Sequence, residues 1–145
     1  MKVVADSMIW YSYFVDPDSF RCRLLEEALK QGVRFFVSEY LIEEVVKAAT
    51  MRLKEGRRYG VRIWHRFRKH AQLVTLPQQI PRHVPGDKGD DPIVETAKRA
   101  HANYLISADN ETSEIEASWN SQNHHGSRVR SVADVVSRIN SEQSL

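Results

Sequence analysis

Residues 91–109 decide the fold: Asp91-Pro92-Ile93-Val94-Glu95-Thr96-Ala97-Lys98-Arg99-Ala100 runs into Asn103-Tyr104-Leu105-Ile106-Ser107-Ala108-Asp109. Proline fits the first turn of a helix, where its missing N–H has no partner to lose, and Asp91 before it is a good cap. Ile93, Ala97 and Ala100 then recur on one helical face, and Tyr104–Ser107 is a short β-prone run that ends beside Asp109. A helix that feeds a strand ending on an acid is half of a strand–helix–strand unit.

The same grammar repeats outward. Lys2–Ala5 is a short β-prone run ending at Asp6, and Met8–Phe14 is rich in large apolar residues before the turn signal Asp16-Pro17-Asp18. Asp18 and Ser19 can cap a helix with Phe20, Leu24, Leu25, Ala28 and Leu29 on one face, closed by Gly32. Val33–Val37 reads as a second strand. Ser38 caps a helix that buries Leu41, Ile42, Val45, Val46, Ala48 and Ala49, and that Gly56 and Gly60 interrupt. Tyr59–His70 resumes at helical spacing, with Trp64 and Phe67 read as core rather than as stacking platforms. Leu73–Leu76 is a third strand candidate, 77–90 a Pro/Gly loop, 117–127 a polar loop, Arg128–Val132 a last strand and Ala133–Ile139 a last helix. Strands separated by helices argue for a parallel sheet covered on both faces, in one domain spanning 1–145.

Composition excludes several classes. Apolar residues make up 41% and charged residues 28% of 145, an ordinary globular balance. No apolar run reaches the roughly 18 residues of a membrane span, and Met1–Asp6 does not read as a signal peptide. The lone Cys22 fits a reducing compartment and a structural role, so a cytoplasmic location is expected. The net charge of +2 hides two opposite stretches. Arg52, Lys54, Arg57, Arg58, Arg62, Arg66, Arg68 and Lys69 face only Glu55 in 51–70, whereas acids dominate 87–116. Such a pair is either a polyanion track beside a cation site or two surfaces that neutralise each other.

No glycine-rich phosphate loop, dinucleotide fingerprint or paired-cysteine zinc motif is present. His124-His125 reads as surface, and His65 and His70 belong to the basic stretch. The chemistry that remains is carboxylate. Asp6 and Asp109 follow strands and Asp91 opens a helix, so all three fall at the carboxyl edge of a parallel sheet, where ligands bind. Glu43 or Glu44 can join them from the helix after Ser38, and spacing alone does not choose between the two. Crowded carboxylates must hold protons or a cation, and an all-oxygen set suits Mg²⁺ or Mn²⁺. Each acid also has a plainer reading: Asp6 ends a strand, Asp91 caps a helix, Asp109 sits in a turn, and Glu43 and Glu44 are solvated charges.

Three stretches in order resemble the PIN-domain nucleases, especially their toxin branch in toxin–antitoxin pairs. They are Val3-Val4-Ala5-Asp6-Ser7-Met8-Ile9, Val37-Ser38-Glu39-Tyr40-Leu41-Ile42-Glu43-Glu44-Val45, and Gly89-Asp90-Asp91-Pro92-Ile93 through Asp109. By position, the resemblance implies Asp6, Glu44, Asp91 and Asp109 as the catalytic acids, with Asp6, Asp91 and Asp109 holding one or two Mg²⁺ or Mn²⁺ ions. Ser7 and Glu111 are implied as accessory residues. Met8 stands where the family often has Asn, Glu111 where Asp is more usual, and 114–127 departs from the family's short turn. The implied fold is a three-layer α/β/α sandwich with a mainly parallel central sheet, and the implied activity is endoribonuclease. The implied partners are RNA, a small antitoxin protein and a second copy in a homodimer.

The expected reaction is cleavage of single-stranded RNA by water, with Glu44 ligating the cation or orienting that water. Arg57, Arg58, Arg62, Arg66 and Lys69 are expected to hold the RNA backbone. The alternatives are a catalytically silent module that binds RNA or protein, and a phosphatase for small phosphate esters.

Overall fold

The computed structural model of the chain describes residues 1–16, 18–52, 56–81, 91–106, 128–130 and 141. Its strands are β1 (Lys2–Ala5), β2 (Arg34–Ser38), β3 (Ala71–Val74), β4 (Tyr104–Ile106) and β5 (Arg128–Arg130). Its helices are α1 (Ser7–Val15), α2 (Phe20–Lys30), α3 (Glu39–Arg52), α4 (Gly56–His70) and α5 (Asp91–Arg99). The strands form one sheet in the order β3-β2-β1-β4-β5, and every pair is parallel. Parallel neighbours need crossovers, and the helices supply them in a three-layer α/β/α arrangement.

Burial explains why the central strands are apolar without alternation. Val3, Val4 and Ala5 are fully buried, as are Leu105 and Ile106, and Phe35, Phe36 and Val37 nearly so. A strand covered on both faces has no solvent side to mark with polar residues. The edge strand β3 is different: Gln72 and Leu73 are exposed.

Three expectations change. The third strand is Ala71–Val74 rather than Leu73–Leu76, and it pairs from Phe35↔Ala71 to Ser38↔Val74. The apolar run after Asp6 is helix α1, which buries Ile9, Trp10, Tyr13 and Phe14. Gly60 does not interrupt a helix but lies within α4, where a β-carbon would come within 3.0 Å of Val46 Cγ1 on α3. That glycine is a close-approach point of the two helices, which pack against each other. The last strand is described over Arg128–Arg130, and the rest of its expected span to Val132 and the helix expected at 133–139 lie outside the described residues. Residues 82–90 and 107–127 lie outside them as well.

Helix ends are chemically explicit. Ser19 Oγ accepts from Cys22 N–H at 3.1 Å, so Ser19 rather than Asp18 caps α2. Gly32, at φ 85°, closes the same helix: its N–H bonds Leu29 O and Val33 N–H bonds Ala28 O, each at 3.1 Å. Helix α5 ends the same way, but with His101 in the left-handed position at φ 53°. Here His101 N–H reaches Lys98 O at 3.2 Å and Ala102 N–H reaches Ala97 O at 3.0 Å.

The centre of the helical packing is aromatic. The Trp10 ring lies 4.9 Å from Phe67, 5.5 Å from Phe35 and 5.8 Å from both Tyr13 and Phe14. Phe67 is fully buried and Trp64 is half-buried against the core, as their spacing implied.

Candidate active site

The carboxyl edge of the sheet gathers the acids that the strand ends deliver. Asp6 directly follows β1; its N–H extends the ladder to Ile106 O at 2.9 Å, and its Oδ1 accepts from Ile9 N–H at 3.1 Å. One residue therefore ends β1 and caps α1, and its side chain is only 5% exposed. In the neighbouring strand Ser38 is fully buried, and its Oγ lies 3.4 Å from Leu41 N, where it caps α3.

Helix α5 is fastened to that edge from the other side. Thr96 Oγ1 lies 2.9 Å from Ser38 Oγ and 2.7 Å from the carbonyl oxygen of Pro92. Helix α5 packs on β1, β2 and β4 and leads into β4, so its first residue, Asp91, lies toward the carboxyl edge beyond the Ser38–Thr96 contact. Asp91 is 3% exposed. A helix-capping carboxylate needs no such burial, and the cost of burying charge calls for compensation.

Glu95, one turn along from Asp91, is equally buried at 3% exposure. Its Oε1 accepts from Arg99 Nε at 3.0 Å. Sequence reasoning counted Glu95 only among the acids of 87–116 and gave it no role of its own. The signal that could have found it is the four-residue spacing of Asp91, Glu95 and Arg99, which aligns all three on one helical face.

From α3 comes a cleft of about 430 Å³ lined by Ser7, Tyr40, Glu43, Glu44, Lys47 and Met51, among others. Ser7, beside Asp6, ties this cleft to the strand end. Glu44 is half-buried and Glu43 exposed, yet both line the cleft. Tyr40 and Glu43 also line an adjoining cavity of about 240 Å³. Tyr40 is a further site residue to which the sequence alone assigned no role.

Asp109 and Glu111 lie outside the described residues. Among the described residues, no group of three or more His, Cys, Asp or Glu is placed to hold a metal ion. The donor chemistry nonetheless fits a hard cation: Asp6 and Asp91 are oxygen donors more than nine-tenths buried at one sheet edge. Two buried carboxylates at one edge are the kind of oxygen ligand that a divalent ion takes.

The basic residues lie on α4. Arg62, Arg66, Arg68 and Lys69 are exposed, while the side chains of Arg57 and Arg58 are outside the described residues. Arg66 is partly engaged: its guanidinium lies 4.9 Å from the Phe14 ring centre and 5.6 Å from that of Tyr13. Three groups with displaced titration lie near this helix. Burial raises the Tyr13 hydroxyl and the Cys22 thiol, with Glu26 adding to the thiol's rise. Burial also lowers His70, helped by Arg66 and Lys69. A buried thiol held protonated is inert, which suits the structural reading of Cys22. His124 and His125 lie outside the described residues.

A parallel α/β sheet with buried acids at its carboxyl edge defines a class of domains that bind and process ligands there. A sequence profile described as PIN domain matches residues 2–111, and the chain belongs to that family, whose members are generally nucleases. No curated protein matches the chain. No helix among the described residues is long and apolar enough to cross a membrane.

Proposed function

We propose that this PIN domain is an endoribonuclease for single-stranded RNA that depends on Mg²⁺ or Mn²⁺. The observation that carries the reading is the burial of Asp6 and Asp91 at the end of β1 and the start of α5. Asp6 and Asp91 would hold the cation, with Asp109 assigned to the same role by family position. When bound, the cation neutralises charge that builds on the phosphate oxygens. Glu44, half-buried in the cleft beside Ser7, is the better placed of the two adjacent glutamates to orient the attacking water. The exposed arginines and Lys69 of α4, with Arg57 and Arg58, supply the charge that steadies an RNA backbone.

The toxin role, the small antitoxin and the homodimer extend this reading on the resemblance of the ordered motifs. Expression of the chain alone should arrest growth, and co-expression of an adjacent partner gene should relieve the arrest. The biochemical test uses single-stranded RNA with purified protein. Cleavage should require Mg²⁺ or Mn²⁺ and stop in EDTA. Undiminished cleavage in EDTA, with contaminating nuclease excluded, contradicts the reading. Binding without cleavage under any divalent ion assigns the chain to the silent RNA-binding alternative.

A further inference from the structure

The cavity next to the acidic cleft has a chemistry that the cleavage reaction does not use. Its walls include Leu73, Leu76 and Ile80, its shared boundary with the cleft is Tyr40 and Glu43, and Glu39 adds a second carboxylate. Leu73 is 47% exposed, an apolar side chain left to water on the edge strand. Among the described residues no lysine or arginine lines this cavity, and two carboxylates do. The two carboxylates disfavour a phosphate or any other anion there.

The part of an RNA strand that fits is a base. Single-stranded RNA is recognised through splayed bases that stack on aromatic side chains and hydrogen-bond through their Watson–Crick edges. Tyr40 and the aliphatic walls offer the stacking surface, and a carboxylate accepts only from N–H donors. Guanine presents two adjacent donors, N1–H and the N2 amino group, which match the two oxygens of one carboxylate. Cytosine and adenine present an amino group beside an acceptor. Uracil presents one N–H between two carbonyls that a carboxylate repels.

We infer that Tyr40 and Glu43 form a base-binding subsite selective for guanine, next to the scissile phosphate. The subsite lies one residue along α3 from Glu44, and the two cavities share Tyr40 and Glu43, so a strand crossing from one to the other places neighbouring nucleotides in them. The inference rests on the proposed action on RNA and adds to it the choice of base.

The test separates the two. Fluorescence anisotropy in EDTA measures binding of a uridine-rich RNA undecamer carrying one central guanosine against the same oligomer with uridine there. The guanosine oligomer should bind about tenfold tighter, the scale of one bidentate base contact. Glu43 is exposed, so Glu43→Gln leaves the fold intact, as circular dichroism can check. That variant should bring the ratio close to one, while Tyr40→Leu should weaken both oligomers together.

Addition of Mg²⁺ should place the cut next to the guanosine. Guanosine preference without cleavage supports the subsite and refutes the nuclease reading. Cleavage with a wild-type binding ratio of one, or a ratio unchanged in Glu43→Gln, overturns the subsite and leaves the nuclease reading standing. Failure to bind either oligomer, with saturable binding of an arginine-rich peptide that Glu43→Gln abolishes, assigns the surface to a protein partner and also overturns it.

Discussion

His101 holds a left-handed backbone conformation at φ 53°, on the surface, to close α5. An L-residue there costs about 1–2 kcal/mol that glycine avoids. His101→Gly should therefore stabilise the protein by about 1 kcal/mol, offset in part by the greater freedom of the unfolded chain. The melting temperature should rise by about 2–4 °C. A fall would mean that the imidazole makes a contact stronger than the backbone cost. Trp10 carries the opposite kind of cost, a buried indole N–H with no hydrogen-bond partner among the described residues. Trp10→Phe loses ring area but no hydrogen bond, so it should cost well under the roughly 3–5 kcal/mol of Trp10→Ala. Equal losses in a denaturant titration of the two variants would contradict this. Neither feature is legible in the sequence, because a φ angle and an orphaned donor depend on packing rather than on composition.

Between elements, the α3–α4 approach turns on Gly60. Alanine would gain helix propensity of about 1 kcal/mol there, but its methyl meets the stiff Val46 side chain. We expect Gly60→Ala to be destabilising by about 1 kcal/mol net, and Val46→Ala in the same chain to recover part of the loss. Additive losses in the double variant would show that the two residues do not meet. The same helix ends at His70, whose imidazole is pushed below its ordinary value of 6.5 by burial and by Arg66 and Lys69. The unfolded state then binds the proton more readily than the folded one, so this contribution is complete above pH 6.5 and is lost as pH falls below it. His70→Gln should flatten the stability profile on that acidic side, and an unchanged profile would assign the slope to other groups. Helix α1 was illegible as a helix because apolar residues surround nearly its whole circumference, leaving no period to read. Strand β3 was misplaced by two residues because Ala71 and Gln72 lack β-branched side chains, and an edge strand needs none. The buried strands β1, β2 and β4 were legible because burial on both faces selects continuous apolar runs.

For the whole molecule, the proposed function gives basic α4 the RNA backbone and the sheet edge the chemistry. Replacing Arg57, Arg58 and Arg62 together should flatten the salt dependence of RNA binding by about 2 in log–log slope, at about 0.7 per lost phosphate contact. A lower melting temperature with an unchanged slope would show that these arginines pair within the fold instead. Of the candidate site, the positions of Asp6 and Asp91 at one sheet edge were legible, because strand and helix ends are written in local sequence. Spacing leaves Glu43 and Glu44 level at the margin of the apolar arc; in the fold Glu44 is half-buried and Glu43 exposed, and both line the cleft. Glu95 was hidden by its charge, which reads as surface until its burial and Arg99 partner are seen. The central claim is that buried carboxylates at this edge perform metal-dependent RNA cleavage. Its most direct test is the cleavage rate of single-stranded RNA in Mg²⁺ by the wild-type chain and by Asp6→Asn. Asparagine preserves the cap on α1, so the variant should fold and melt at or above the wild-type temperature. The account expects its cleavage to fall to background, and a folded Asp6→Asn protein that cleaves at the wild-type rate would contradict it.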